Sequence, residues 1–308
     1  MFFPLTDSPD HTMMSNTADF HNAFTIDVED GVSLAMKNFF GIDTSQTTRV
    51  VTCTYQILEL LSRYNAKATF FVVGKVAEDF PELVKAIHNN GHEVGIHGYN
   101  HIRYDHLDYQ AAYNEINDTK KMMEDLIGAS VRGHRAPAFS INEKTYWVLD
   151  ILSEVGLMYD SSIVPANRNG YGYSGFNRDI VEIAAPSGGE LIEVPLSVVG
   201  FPGRGLFALG GGYLRMFPYI FTDYAVKNIS RIRPVIFYMH PYELDTERYP
   251  DYYFEALKDQ PLKKQITMRS KWINRDTVYG KVKRLLENHR FTSVIHLIES
   301  SFQPQTSL

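Results

Sequence analysis

Short apolar runs alternate with segments of helical periodicity along this chain, and the alternation constrains its fold more than any other feature. The run 68–73 (ATFFVV) is apolar throughout, as expected of a strand that is buried on both faces of a sheet. Segment 47–64 before it carries apolar residues at helical spacing. Segment 81–91 after it opens with a proline and closes with Asn90-Gly91, which are typical helix start and stop signals. This succession predicts βαβ units and a mainly parallel α/β sheet.

The same alternation continues along most of the chain. Further strands are predicted at 23–27, 92–96, 131–135, 158–161, 180–185, 191–199 and 234–239. Further helices are predicted at 108–127, 142–155, 214–229 and 276–288. This many repeated units predict a sheet that curves towards a barrel. We therefore expect a flexible tail at 1–20, the barrel at 21–245, and a C-terminal extension packed on it at 246–308.

Composition and charge exclude several classes of protein. The chain has 308 residues, 44% of them hydrophobic and 21% charged, which is ordinary for a soluble globular protein. Its net charge of -6 offers no basic face, so we expect no nucleic-acid partner. No run approaches the roughly 18 apolar residues that a membrane span needs. The first 20 residues lack the basic start and apolar core of a signal peptide, so we expect a cytoplasmic protein.

Five polar residues fall at the C-terminal ends of predicted strands, namely Asp27, His97, Arg135, Asp160 and His240. The carboxyl ends of parallel strands meet at one rim of an α/β barrel, and active sites are assembled there. The coincidence of five such residues on one rim predicts an enzyme.

Two segments of that rim carry metal-ligand chemistry, His97-Gly-Tyr-Asn-His101 and Asp27-Val-Glu-Asp30. Two imidazoles and one carboxylate are a normal ligand set for a divalent ion that keeps positions open for water and substrate. A spare carboxylate beside such an ion is a ready general base. Strand alternation points Asp27 and Glu29 to the same side, which favours Glu29 as the ligand. Asp30 is the alternative, because a turn that begins after Glu29 would redirect it.

Five ordered segments resemble the motifs of the NodB-homology polysaccharide deacetylases, carbohydrate esterase family 4. They are TIDVED at 25–30, HGYNH at 97–101, RAPAF at 135–139, YDSSI at 159–163 and YMH at 238–240. The resemblance covers roughly residues 22 to 245 and implies the distorted (β/α) barrel of that family. One subgroup associated with exopolysaccharide loci is similar in its DVED form, in GGGYLR at 210–215, in MHPYEL at 239–244 and in its C-terminal extension.

The resemblance also implies roles for the rim residues. Asp27 is expected as the general base, Arg135 as the residue that positions it, and His240 as the general acid that Asp160 orients. His97, His101 and one acid of the DVED segment are expected to hold a divalent metal, with Zn²⁺ favoured and Co²⁺, Ni²⁺ or Fe²⁺ as alternatives. The chain departs from the family pattern at Val28, where a second Asp is usual, and lacks a Trp that is common in the fourth motif.

These roles predict a metal-dependent hydrolase that removes N-acetyl groups from a polysaccharide containing N-acetylhexosamine or from its precursor. Two alternatives stay open from the sequence. One is a hydrolase of a small non-sugar amide, such as a cyclic imide or ureide. The other is a catalytically silent glycan-binding protein.

Overall fold

The computed structural model describes residues 21–166, 172–200 and 209–301. The tail expected at 1–20 and the last seven positions of the expected extension, 302–308, lie outside the described residues.

A nine-stranded, mostly parallel sheet organises the chain. Its strands are β1 (Asn22–Val28), β2 (Thr69–Val72), β3 (Glu93–Ile96), β4 (Gly133–His134), β5 (Tyr159–Asp160), β6 (Val181–Ala184), β7 (Glu190–Glu193), β8 (Ile236–Met239) and β9 (Phe291–Thr292). They are ordered β6-β7-β5-β4-β3-β2-β1-β8, with β9 also paired to β1. Only the β6–β7 hairpin is antiparallel among these pairs.

Helices follow most of the strands and cover the sheet. They are α1 (Gly31–Ala35), α2 (Arg49–Arg63), α3 (Gly74–Asp79), α4 (Pro81–Asn89), α5 (Tyr109–Ile127), α6 (Val148–Glu154), α7 (Gly211–Met216), α8 (Tyr219–Ile229), α9 (Asp251–Lys258), α10 (Leu262–Ser270), α11 (Val278–Asn288) and α12 (Val294–Ser301). A π-helical turn, Met36–Phe40, continues α1. In the described part of the chain, no helix combines the length and the apolar character that a membrane crossing requires.

The sheet curves into a half-barrel. Residues outside the named strands contact its edge strand β8. The backbone N–H of Ile236 in β8 donates to Ser197 Oγ at 2.9 Å, which ties the segment after β7 to β8. Gly210 pairs with Tyr238 of β8 through an isolated bridge. A Cβ at Gly210 would lie 2.1 Å from the Tyr238 carbonyl oxygen, so only glycine fits this close approach. The expected distorted (β/α) barrel is confirmed.

One expectation about a helix was wrong, and two helices form where none was predicted. The single helix expected at 214–229 is two helices, α7 and α8, because Pro218 lies between them and cannot donate the backbone hydrogen bond that a continuous helix needs. The aromatic segment 249–271 shows no clear periodicity in the sequence, yet it forms α9 and α10, which follow Pro250 and Pro261.

Helices α9 and α10 share a small core with the start of the chain's first helical region. Buried side chains of this core come from α1, its π-helical continuation, the residues just before α9, α9 itself and α10, and they are Val32, Ala35, Met36, Tyr249, Tyr253, Leu257 and Met268. This packing brings the region after residue 245 against the residues that directly follow the DVED segment. The main core lies between the sheet and its surrounding helices.

Candidate active site

The rim residues meet as the parallel topology requires. Asp27 lies in β1, His97 directly follows β3, and Arg135 directly follows β4. Asp160 is the last residue of β5, and His240 directly follows β8. The parallel pairing of β1 with β2 and β8, and of β3 with β4, brings these strand ends to one edge.

Glu29, His97 and His101 converge with geometry suited to a metal ion. One potential ligand atom from each of the three lies within 4.8 Å of the other two. His101 Nε2 is 2.9 Å from Glu29 Oε2, yet that buried oxygen has no hydrogen-bond partner in the described chain. A buried carboxylate oxygen without a partner is costly, so a cation shared with the imidazoles would satisfy it. This donor set fits a divalent transition metal.

The orientation of His97 supports the same reading. Its Nδ1 lies 2.8 Å from the backbone oxygen of Arg135, which can only accept, so Nδ1 carries the proton and Nε2 keeps its lone pair. Burial lowers the pKa of His97 well below its usual value, which keeps the imidazole neutral. A metal-ligating histidine is typically held in this way by a backbone carbonyl.

The loop between the two histidines is fixed by a residue far away in sequence. The backbone N–H groups of Tyr99 and Asn100 donate to Glu115 Oε1 on α5 at 2.8 and 3.1 Å. His101 has a left-handed backbone with φ of 53°, which turns its imidazole back towards Glu29. Gly98 has φ of 66°, and a Cβ there would lie 2.8 Å from Pro137. A tight turn, and not a helix, therefore brings the two histidines of the HGYNH segment together.

Asp30 turns away from this cluster. Its carboxylate caps α1 by accepting from the backbone N–H groups of Val32 and Ser33 at 3.4 and 3.2 Å. It also accepts from Thr47 N at 2.9 Å and from Thr47 Oγ1 at 2.8 Å. The geometry thus favours Glu29 over Asp30 as the metal carboxylate.

Arg135 holds Asp27 in position. Its guanidinium is fully buried and donates through Nη1 to Asp27 Oδ1 and Thr25 Oγ1, both at 2.7 Å. It also donates to Ser161, through Nε to the carbonyl and Nη2 to Oγ, both at 2.9 Å. The Phe71 ring covers the guanidinium carbon at 4.3 Å from the centroid. This cage fixes one oxygen of Asp27 and leaves Oδ2 on the side of His240.

His240 faces the acids from the opposite side. Its Nε2 lies 3.1 Å from Glu29 Oε1 and 4.0 Å from Asp27 Oδ2, while Nδ1 lies 3.1 Å from Glu243 Oε1. The imidazole stacks on Tyr242 with centroids 4.7 Å apart. Burial lowers the pKa of His240, but the neighbouring Glu29, Glu243 and Asp27 outweigh it and raise the pKa to about 9. At neutral pH the imidazole is therefore charged and can donate a proton.

The expected contact between Asp160 and His240 was wrong. Asp160 Oδ1 instead binds His134 Nδ1 and Ser162 Oγ, both at 2.6 Å, and Oδ2 accepts from Ser162 N at 3.2 Å. All of these groups are fully buried. Burial raises the pKa of the neighbouring Glu193 well above its usual value, and the nearby Asp160 raises it further. Asp160 supports the floor of the site, and Glu243 is the carboxylate that contacts His240.

Three residues of the site were missed from the sequence. Thr25 shares the strand face of Asp27, so period-two alternation could have found it. Glu243 follows His240 by three residues, a spacing that brings side chains together in the 3₁₀ turn Pro241–Glu243. Glu115 lies on an amphipathic helix among several polar residues, and no local signal distinguishes it.

A cavity of about 390 Å³ opens onto the metal candidates. Glu29 and His101 form part of its wall, together with side chains of α1 and of the loop before α2. Its volume lies at the lower end of the range of small-molecule binding sites, roughly 300 to 1,000 Å³.

Comparison with known proteins places these features in a family. The polysaccharide deacetylase domain matches residues 42–159, and a domain of unknown function, DUF3473, matches residues 161–299. A peptidoglycan-N-acetylglucosamine deacetylase of Bacillus cereus is 38% identical over 90 residues, which are 29% of this chain and 33% of that protein. The chain therefore aligns with only about a third of the length of that relative.

Two solved structures share the fold over nearly the whole chain. A Mycobacterium smegmatis protein named as a polysaccharide deacetylase has a TM-score of 0.60 at 19% identity and covers 98% of this chain and 96% of its own. The Puue allantoinase has a TM-score of 0.61 at 14% identity and covers 99% of this chain and 100% of its own. Identities this low show the fold alone. The family evidence is the match at residues 42–159, which identifies a polysaccharide deacetylase domain of the NodB type, carbohydrate esterase family 4, in this part of the chain.

Proposed function

We propose that this protein is a metal-dependent hydrolase that removes N-acetyl groups from a glycan containing N-acetylhexosamine, or from the precursor of such a glycan. The observation that carries the proposal is the convergence of Glu29, His97 and His101 between a caged Asp27 and a charged His240. Membership of the polysaccharide deacetylase family supports the coarser activity, deacetylation of N-acetylated sugar polymers.

His97, His101 and Glu29 would hold the divalent ion, and Zn²⁺ suits two imidazoles and one carboxylate. When bound, the ion polarises the acetamide carbonyl and lowers the pKa of a water molecule towards neutrality. The Arg135 carbonyl fixes the tautomer of His97, and Glu115 fixes the loop that carries His101. These contacts prepare the ligand geometry before any ion binds.

Asp27 is suited to act as the general base. Its Oδ1 is bound by Arg135, and its Oδ2 remains available to accept the proton of the attacking water. The carboxylate is 1% exposed, so the proton is transferred in a largely desolvated setting. Arg135 positions Asp27 and touches no substrate.

His240 is suited to act as the general acid. Attack on an amide produces an amine leaving group, and an amine is a poor leaving group until its nitrogen is protonated. The acids around His240 hold its proton at neutral pH, and its Nε2 faces the same space as Asp27 Oδ2. Base and acid thus stand on two sides of the position where the scissile amide would lie.

The test is the chemical identification of products. Zinc-loaded protein is incubated with N-acetylglucosamine oligomers, and acetate and free amines are quantified in the same samples. Equal amounts of both are expected. Hydrolysis of a cyclic imide or ureide, with no acetate from any oligomer, would replace the proposal with small-amide chemistry. Tight oligomer binding with no products from a metal-replete protein would replace it with a binding function.

A further inference from the structure

A second cavity, of about 260 Å³, lies beside the site and is called here the extension cavity. It is enclosed by α1 and its π-helical continuation, by the start of α7, and by residues after 240 that include α10. Leu34 of α1 lines both this cavity and the one at the metal candidates, so a single helix separates them. Tyr242 and Glu243, which contact His240, form part of its wall.

Hydrogen-bond donors without acceptors collect in the extension cavity. Lys271 has no acceptor or ion-pair partner among the described residues, and its Nζ lies 4.0 Å from the Phe39 ring centroid. Arg215 donates through Nη1 to the Ser270 carbonyl at 2.9 Å and has no ion pair in the described chain. Trp272 Nε1 is buried without a partner. The extension cavity therefore has hydrogen-bond donors that a ligand with acceptor atoms could satisfy.

The side chains that line the extension cavity carry a net positive formal charge. The basic residues that line the cavity are Arg215, Lys271 and Arg275, and the only acidic one is Glu243, so the formal charge is +3 − 1 = +2. Arg275 is already bound to the Asp245 carbonyl and the Tyr249 hydroxyl. Glu243 has one oxygen facing His240. Arg275 thus has donors committed to the protein, whereas Arg215 and Lys271 keep donors that a ligand could use.

Aromatic rings hold these donors in place. Trp272 packs edge-on against Tyr249 and Tyr253, with centroids 4.7 and 5.4 Å away, and its indole stacks on Phe254 at 5.7 Å. Arg275, three residues after Trp272, donates through Nε to the Lys271 carbonyl at 3.0 Å. The rings thus fix the backbone that carries Lys271 and the direction of the Trp272 N–H.

We propose that the extension cavity is an oxyanion subsite, which binds a phosphate or carboxylate group carried by the substrate. This inference rests on the proposed function, because it assigns the anion to the same glycan whose acetamide reaches His240. Arg215 and Lys271 would supply charge-assisted hydrogen bonds, and Trp272 Nε1 would supply a neutral one. The substrate class is then an acidic amino-sugar glycan or a phosphorylated precursor, rather than a neutral polymer.

The test compares binding of three monosaccharides to zinc-loaded protein by calorimetry. N-acetylglucosamine is neutral, N-acetylglucosamine 1-phosphate carries the phosphate, and N-acetylmuramic acid carries the carboxylate. We expect at least one anionic sugar to bind about tenfold more tightly than the neutral sugar. We expect Lys271→Gln and Arg215→Gln each to remove most of that ratio. Lys271 is exposed at the cavity mouth, so its substitution leaves folding intact.

A matched control separates the cavity from general electrostatics and from anion binding at the zinc. Lys263→Gln removes an exposed charge from α10, the helix that ends just before Lys271, at a position that does not line the cavity, and should leave the ratio unchanged. All variants keep the zinc site, so anion binding there is common to every sample. Equal affinity for the neutral sugar and both anionic sugars would overturn the inference, as would an equal loss in Lys263→Gln.

Acetate release, measured separately, keeps the two proposals distinguishable. Anion preference without acetate release from any sugar would support the subsite and contradict the deacetylase. Acetate release without anion preference would support the deacetylase and contradict the subsite.

Discussion

Glu29 and Asp30 are neighbours in the sequence, but their carboxylates serve different structures. Glu29 faces two imidazoles that have the geometry of metal ligands, whereas Asp30 accepts four hydrogen bonds from Val32, Ser33 and Thr47. The paired substitutions Glu29→Ala and Asp30→Ala should therefore separate metal binding from stability.

The magnitudes follow from those contacts. Removing a residue that only orients a metal ligand lowers metal affinity by about 10- to 100-fold. Glu29 is itself a candidate ligand, so Glu29→Ala should lower zinc affinity by at least about 100-fold. In Asp30→Ala, the lost N-cap costs about 1 kcal/mol. The two bonds from Thr47 cost about 1 kcal/mol each, because that residue is only half-buried and water can replace part of them. The free energy of unfolding should therefore fall by about 2 to 4 kcal/mol.

Two measurements on the same samples test this division. Zinc affinity is measured by competition with a chromogenic chelator, and stability by denaturant unfolding of the metal-free proteins. Asp30→Ala should keep near wild-type zinc affinity, and Glu29→Ala should keep near wild-type stability. Asp30→Asn is a second test: it keeps one acceptor oxygen but turns an amide NH₂ towards donors that the other oxygen now binds, so it should also lose stability while keeping near wild-type zinc affinity. Loss of zinc in Asp30→Ala, with zinc retained in Glu29→Ala, would refute the assignment.

Three further outcomes are expected from the same geometry. Asp27→Asn should bind one equivalent of zinc and lose about 10²- to 10⁴-fold in kcat, and retained kcat with bound zinc would remove Asp27 from the base role. Glu243→Gln should move the alkaline limb of the kcat/KM profile to lower pH, because the acid needs its proton and loses one of the carboxylates that raise the pKa of His240. An unmoved limb would show that Glu243 does not act through His240. Glu115→Ala should weaken zinc binding by about 10- to 100-fold through the loop at Tyr99, whereas unaltered affinity would make that contact dispensable.

The positions of the main elements could be predicted from the sequence because both relevant periodicities are strong in the first half of the chain. The run 68–73 and its neighbours are apolar on both faces, and they form β2 in a parallel sheet. Helix α5 begins after Asp108, which caps it, and ends at Gly128, whose left-handed backbone terminates it. These signals are local and do not depend on tertiary contacts.

What escaped prediction depends on contacts between distant segments. Asp160 lies at a strand end as expected. Its hydrogen-bond partner is the buried His134, which lies opposite it in the β4–β5 pair. Helices α9 and α10 bury only a few side chains, Tyr253, Leu257 and Met268, in a small core shared with α1, so their sequence lacks the simple apolar stripe of a helix on a large core. The partner of the HGYNH loop lies on α5, and only folding brings Glu115 there.

The central claim is that a metal held by Glu29, His97 and His101 enables this chain to deacetylate an amino-sugar glycan. The most direct measurement is a zinc titration of chelator-stripped protein, with bound metal and acetate release from N-acetylglucosamine oligomers recorded at every point. The account predicts that release rises in proportion to bound zinc, reaches its plateau at one equivalent, and is absent at every zinc concentration in His97→Ala. Acetate release from the stripped protein, or release in His97→Ala equal to that of wild type, would contradict it.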